Sequence, residues 1–117
     1  MVAAKTIKGV SPSMLMTTAE NIQGKNFAPL GIAKGSVVMS KHIGRDIMAG
    51  LKSIAGGELK GYTELLGEAR IIATKRMQDD ALAIGADAII CLRYNSASVM
   101  QGACEIMAYG TAVRFYE

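Results

Sequence analysis

The sequence predicts an α+β domain of two layers, a mostly antiparallel sheet packed by two helices in the order β-β-α-α-β-β. Three observations carry this. Apolar residues recur every three or four positions through the middle of the chain, the period of a helix. On either side, short runs rich in Ile, Val and Tyr are bounded by Gly, Asn and Ser, as strands and turns are. The chain has 117 residues, which suits one domain of roughly 100–150 residues.

Residues 1–12 read as an extended N-terminal arm of a single domain spanning 1–117. Ser13-Met14-Leu15-Met16-Thr17-Thr18 reads as a short strand, and Glu20-Asn21-Ile22-Gln23-Gly24 as a turn. A second strand starts near Gly31 and ends at Met39, with glycines that suggest bending. Ser40 suits an N-cap, followed by Ile43, Ile47, Leu51 and Ile54 at helical spacing and a stop at Gly56-Gly57.

A longer helix is expected from about Tyr62 to Ile84. Its apolar face is Leu65, Leu66, Ala69, Ile72, Ala73, Met77, Ala81 and Ile84, and Gly85 ends it in a left-handed conformation. Residues 86–94 and 103–116 read as the last two strands, with Asn95 to Gly102 as a connecting loop.

These last strands are apolar on both sides. Alternation turns Ala88, Ile90 and Leu92 one way and Ile89 and Cys91 the other, while Ile106 and Ala108 oppose Met107 and Tyr109. Two helices can cover one face, so the other is expected to meet another subunit. The sequence therefore predicts a homo-oligomer.

Composition excludes several classes. Half the residues are apolar and 20% charged, against the low hydrophobicity and high charge of disordered chains. Two cysteines are too few for a disulfide scaffold. No apolar run reaches the roughly 18 residues of a membrane span, and the N-terminus lacks a secretory apolar core. A soluble cytoplasmic protein is expected, without a membrane partner. The net charge is +3, and the basic residues are scattered singly with few aromatics between them, so no nucleic-acid partner is expected.

For chemistry, the N and S ligands of interest are His42, Cys91 and Cys104. Structural zinc takes four N or S ligands, commonly at short paired spacings, and no CxxC, HxH or HxxxH is present. If Arg93 and Glu105 pair as opposite charges across the last hairpin, Cys91 lies opposite Met107 and Cys104 opposite Tyr94, on opposite faces. Met14 and Met16 could offer thioethers to a soft ion, but the eight methionines are better explained as core and interface filler.

His42 and Asp46 are one helical turn apart, and Ser40 is close by. Ser40 is explained by capping, and a triad is recognised by geometry. Arg45-Asp46 reads as a polar interface or an ion pair. Gly56 to Gly61 lacks the P-loop order. No catalytic constellation emerges, and no enzyme is predicted.

The ordered landmarks Thr17-Thr18, Asn21-Ile22-x-Gly24, Leu30-Gly31-x-x-x-Gly35-x-Val37-Val38, Arg45-Asp46-Ile47, Gly56-Gly57, Gly61-Tyr62, Glu68-Ala69-Arg70, Gly85-Ala86-Asp87-Ala88-Ile89-Ile90 and Gly110-Thr111-Ala112-Val113 resemble the bacterial YbjQ-type (UPF0145) family. That family is labelled "putative heavy-metal-binding". The resemblance implies a dodecin-like subunit in a homo-pentamer or decamer. It also suggests a soft or borderline metal ion as ligand, with Cys91, Cys104 and His42 as the residues to hold it. Dodecin stacks its flavin on tryptophan, and this chain has none. The expected function is an oligomeric binding protein for a heavy metal. A small-molecule carrier or storage ring using clefts between subunits, or an interaction scaffold, is the alternative.

Overall fold

The structure is a computed structural model and describes residues 14–40, 60–100 and 103–117. The expected N-terminal arm and the helix expected over 43–55, with His42, Arg45 and Asp46, lie outside these residues.

The described chain runs β1 (Leu15–Met16), β2 (Asn26–Ser40), α1 (Lys60–Ala83), β3 (Ala88–Met100) and β4 (Ala103–Tyr116). The fold is α+β, but the expected two-helix β-β-α-α-β-β arrangement is corrected. The described residues form one helix and a four-stranded sheet in the order β1-β3-β4-β2. The sheet is mixed, because β1 pairs with β3 in parallel while β2 and β3 flank β4 antiparallel. A chain that returns to the sheet through a helix can lay its first strand parallel beside the strand that follows, as β1 and β3 do.

Helix α1 ends where the sequence places its stop. Gly85 has φ +81°, its amide donates to the Leu82 carbonyl, and the Ala86 amide donates to Ala81. This pair of bonds is a Schellman cap. The buried stripe of α1 is narrow and made mostly of small residues: Ala69, Ala73, Met77 and Ala81. Ile72 and Ile84, expected inside, are exposed, and neighbouring Ile71 is 70% exposed.

The stripe is small because the helix touches the sheet backbone to backbone. A Cβ on Gly35 of β2 would fall on the Met77 amide nitrogen and the Ala73 carbonyl oxygen. Bulky side chains along this line would hold the two layers apart.

That contact sets α1 over β2 and β4, with little of it over β3. It also guards the sheet edge. An unpaired edge strand presents amides and carbonyls to other chains. On β2 the Lys34 amide donates to Asp80 Oδ2 at 3.0 Å, and the Ser36 carbonyl accepts from Arg76 Nη1 at 2.6 Å. Two side chains one helical turn apart thus occupy the middle of that edge.

The last hairpin differs from expectation in length and register. Residues 95–100, expected as loop, continue β3, and Met100 pairs with Ala103. Arg93 faces Tyr109, and Glu105 faces Ala97, so the expected Arg93–Glu105 pairing does not form. Between Ile90↔Thr111 and Arg93↔Tyr109, Cys91 and Leu92 together oppose Gly110, which is a β-bulge. The extra residue breaks the alternation. Ile89 and Leu92 join the core under α1, whereas Ala88, Ile90 and Cys91 pack on the other side of the sheet.

Among the described residues that second face is covered at one end, where Ile22, Phe27 and Phe115 pack around Ala88, Ile90 and Val113. Further along, Ala33, Val37 and Met39 face α1, so alternation turns Ile32 and Val38 outward. There Ile32 is 75% and Val38 50% exposed. Tyr109, opposite Lys34, is on the same open face.

The close approach at Gly35 gives a direct test when set beside Gly67 of α1, which makes no such contact. Gly35→Ala is expected to cost about 3 kcal/mol, since backbone must move. Gly67→Ala, where an added Cβ meets nothing within 4 Å, is expected to stabilise by about 0.5–1 kcal/mol through helix propensity. Urea unfolding midpoints measured at constant slope check both.

Candidate functional site

The two cysteines anchor different places. Cys91 occupies the bulge with φ +54°, a left-handed conformation that non-glycine residues rarely adopt. The β1 end clamps it there. The Cys91 amide donates to the Ala19 carbonyl at 3.1 Å, the Leu92 amide to Thr17 at 3.0 Å, and the Thr17 amide to Ile89 at 3.0 Å. Arg93 Nη1 adds bonds to the Thr18 carbonyl at 3.1 Å and to Leu92 at 2.8 Å.

Opposite, Gly110 leaves room for the bulge, because a Cβ there would lie 2.6 Å from Ile89 Cγ2 and 2.9 Å from the Ile90 carbonyl oxygen. The Cys91 side chain packs with the Ala88, Ile90 and Val113 cluster. Thr17, Thr18, Arg93 and Gly110 are therefore explained by holding a strained turn of backbone.

Cys104 packs on the opposite side of the sheet, against the core under α1, and pairs with Ser98. Ser98 is roughly 20 Å along the strand from Cys91, at about 3.3 Å per residue. The structure therefore does not bring Cys91 and Cys104 together. Among the described residues no three His, Cys, Asp or Glu side chains form a group that could hold a metal ion. The described donor set does not fit a metal centre within one chain that uses both cysteines. His42, Arg45 and Asp46 lie outside the described residues.

Cys104 instead lines a groove of about 350 Å³ between the flank of α1 and the outer half of β3. Among the described residues the groove exists because α1 sits over β2 and β4 and only lightly over β3. Its floor is Leu66, Cys104 and Ile106, and Arg70 stands at its wall. Along β3, Tyr94, Ser96 and Ser98 occupy alternate positions, so their side chains share this face.

One end is pinned by a hydrogen-bond chain. Thr74 Oγ1 donates to the Arg70 carbonyl at 2.7 Å, which leaves Thr74 Oγ1 to accept from the Tyr94 hydroxyl, also at 2.7 Å. Sequence reading missed this groove because residues 95–102 were expected as loop. The available signal was the polar alternation Tyr94-x-Ser96-x-Ser98, the mark of a strand with one polar face.

Residues 14–116 match the sequence family YbjQ_1, described as "Putative heavy-metal-binding". The chain belongs to this family. A UPF0145 protein of Thermotoga maritima is 56% identical over 102 residues, covering 86% of this chain and 96% of its own length. One from Vibrio campbellii is 53% identical over 102 residues, covering 86% and 98%. The fold is similar to the crystal structure of a DUF74-family protein of unknown function from Pediococcus pentosaceus. That match has a TM-score of 0.62 and 18% identity, and covers 88% of this chain and 98% of the other. At such identity it speaks to fold alone. No helix among the described residues is long and apolar enough to cross a membrane.

For this YbjQ-type chain the strained bulge makes an unusual ranking testable. In an ordinary strand Val is favoured over Ala and Gly. At position 91 the order is expected to reverse. Cys91→Gly should be at least as stable as Cys91→Ala, and Cys91→Val about 2 kcal/mol below both, as read from urea midpoints.

Proposed function

We propose that this YbjQ-type protein is a non-enzymatic binding protein that works as a homo-oligomer, each copy covering the sheet face that α1 leaves open on its neighbour. The exposure of Ile32, Val38 and Tyr109 together on that face carries the reading. A patch of this kind marks an interface more often than free surface. Aromatic residues, methionine and arginine are enriched in interfaces, and Tyr109, Met107 and Arg93 share the face by register. Lys34 and Glu105 stand on it as well, so two copies can meet with complementary charge. The family resemblance points to five or ten copies.

We read the heavy-metal description of the family as a site between chains, since Cys91 and Cys104 lie on opposite sides of one sheet and no group of three His, Cys, Asp or Glu among the described residues could hold a metal ion. Both cysteines are free thiols, which favours a reducing compartment such as the cytoplasm. A carrier of small organic molecules is the second reading, supported by the groove at Cys104.

Native mass spectrometry of the untagged protein, purified without chelator, tests the assembly. A mass of five or ten chains is expected, and Ile32→Asp should shift it to smaller species. A wild-type monomer at micromolar concentration would overturn the proposal. A metal increment that EDTA removes, and that falls when Cys91, Cys104 or His42 is replaced, would favour the heavy-metal reading. An organic mass indifferent to EDTA would favour the carrier.

A further inference from the structure

Arg70 has an unusual position for a surface arginine. On a helix the neighbours that can pair with it lie three and four residues away, and these are Leu66, Gly67, Ala73 and Thr74. None is acidic. The contrast is Lys75 on the same helix, which pairs with Asp79 at 2.9 Å. Among the described residues no carboxylate lines the groove, and no hydrogen bond or ion pair occupies the Arg70 guanidinium.

The groove beside it is amphipathic. Leu66 and Ile106 give an apolar floor, and Ser96 and Ser98 share the same face by strand alternation, the Ser98 hydroxyl donating to the Met100 carbonyl at 3.5 Å. The Tyr94 hydroxyl spends its hydrogen on Thr74, so on this wall it offers lone pairs, while Arg70 supplies up to five N–H donors. The volume of about 350 Å³ lies at the lower end of small-molecule pockets, roughly 300–1,000 Å³.

We infer that the groove binds a small amphipathic carboxylate, its apolar body lying on Leu66 and Ile106 and its anionic head paired with the Arg70 guanidinium. A planar carboxylate meets an arginine fork with two parallel hydrogen bonds. A cation is disfavoured by Arg70, and a neutral alcohol forfeits the charge-assisted bonds. The groove lies within one chain, so this site stands or falls separately from the assembly proposed above, which native mass reads independently.

The probe is octanoate, titrated calorimetrically into the full chain, with octanol and octylammonium as neutral and cationic counterparts and inorganic phosphate as a bare anion. Octanoate is expected to saturate at one per chain, and Arg70→Gln to weaken it at least about tenfold, with Arg70→Lys retaining part of the affinity. Octylammonium is expected not to bind, and phosphate to bind more weakly than octanoate.

The two thiols locate the site. Saturating octanoate should slow alkylation of Cys104 by iodoacetamide while leaving Cys91, on the far side of the sheet, unchanged. Ser96→Phe fills the groove with Arg70 intact and should abolish binding, which decides the matter if the Arg70 variants alter the fold. The inference is overturned by no saturation up to about 10 mM, by equal binding of octanoate to Arg70→Gln, by octanol or octylammonium binding as well as octanoate, by phosphate alone accounting for the effect, or by unprotected Cys104.

Discussion

Much of this molecule follows from one close approach, the backbone of α1 resting on Gly35 of β2. Only glycine leaves room there, because the Met77 amide and Ala73 carbonyl occupy the place of a side chain. The buried stripe of the helix is accordingly mostly alanine, and its larger apolar residues, Ile71 and Ile72, are turned outward. Packing of this kind trades side-chain area for close contact between layers. It also fixes the helix laterally, over β2 and β4.

Three consequences come from that placement. Asp80 and Arg76 reach the outer edge of β2 and bind the Lys34 amide and the Ser36 carbonyl, which blunts the middle of that edge against stray strands. Among the described residues nothing but α1's flank lies by the helix side of β3 beyond Leu92, and the groove with Arg70 and Cys104 occupies that gap. The opposite face of the sheet receives no helix among the described residues, and its apolar residues are left for another surface to cover.

The second organising feature is the bulge at Cys91 and Leu92. It allows Ile90 and Cys91 to pack on one side and Ile89 and Leu92 on the other, which no alternating strand can do. Its strain is held by the carbonyls of Thr17, Thr18 and Ala19 and by the space above Gly110. The short β1 strand therefore has a role beyond its two residues, since its continuation clamps the turn that sets the register of the last hairpin. That register places Cys104 by Ser98 and far from Cys91.

Local information in the sequence determined the helix and its end, because spacing at Ala69, Ala73, Met77 and Ala81 and a left-handed stop at Gly85 depend only on near neighbours. It also determined β4, whose limits Ala103 and Tyr116 coincide with the run read as a strand, and the amphipathic excess of apolar residues on the sheet. The candidate site was legible only as isolated letters such as Cys104. Residues 95–100 have weak strand propensity and read as loop, yet pairing with β4 makes them strand. The bulge, the hairpin register and the strands beneath α1 were decided by tertiary structure. Their causes are contacts between residues distant in sequence, Gly35 with Met77 and Gly110 with Ile89, and a periodic pattern carries no record of which distant backbone will come that close.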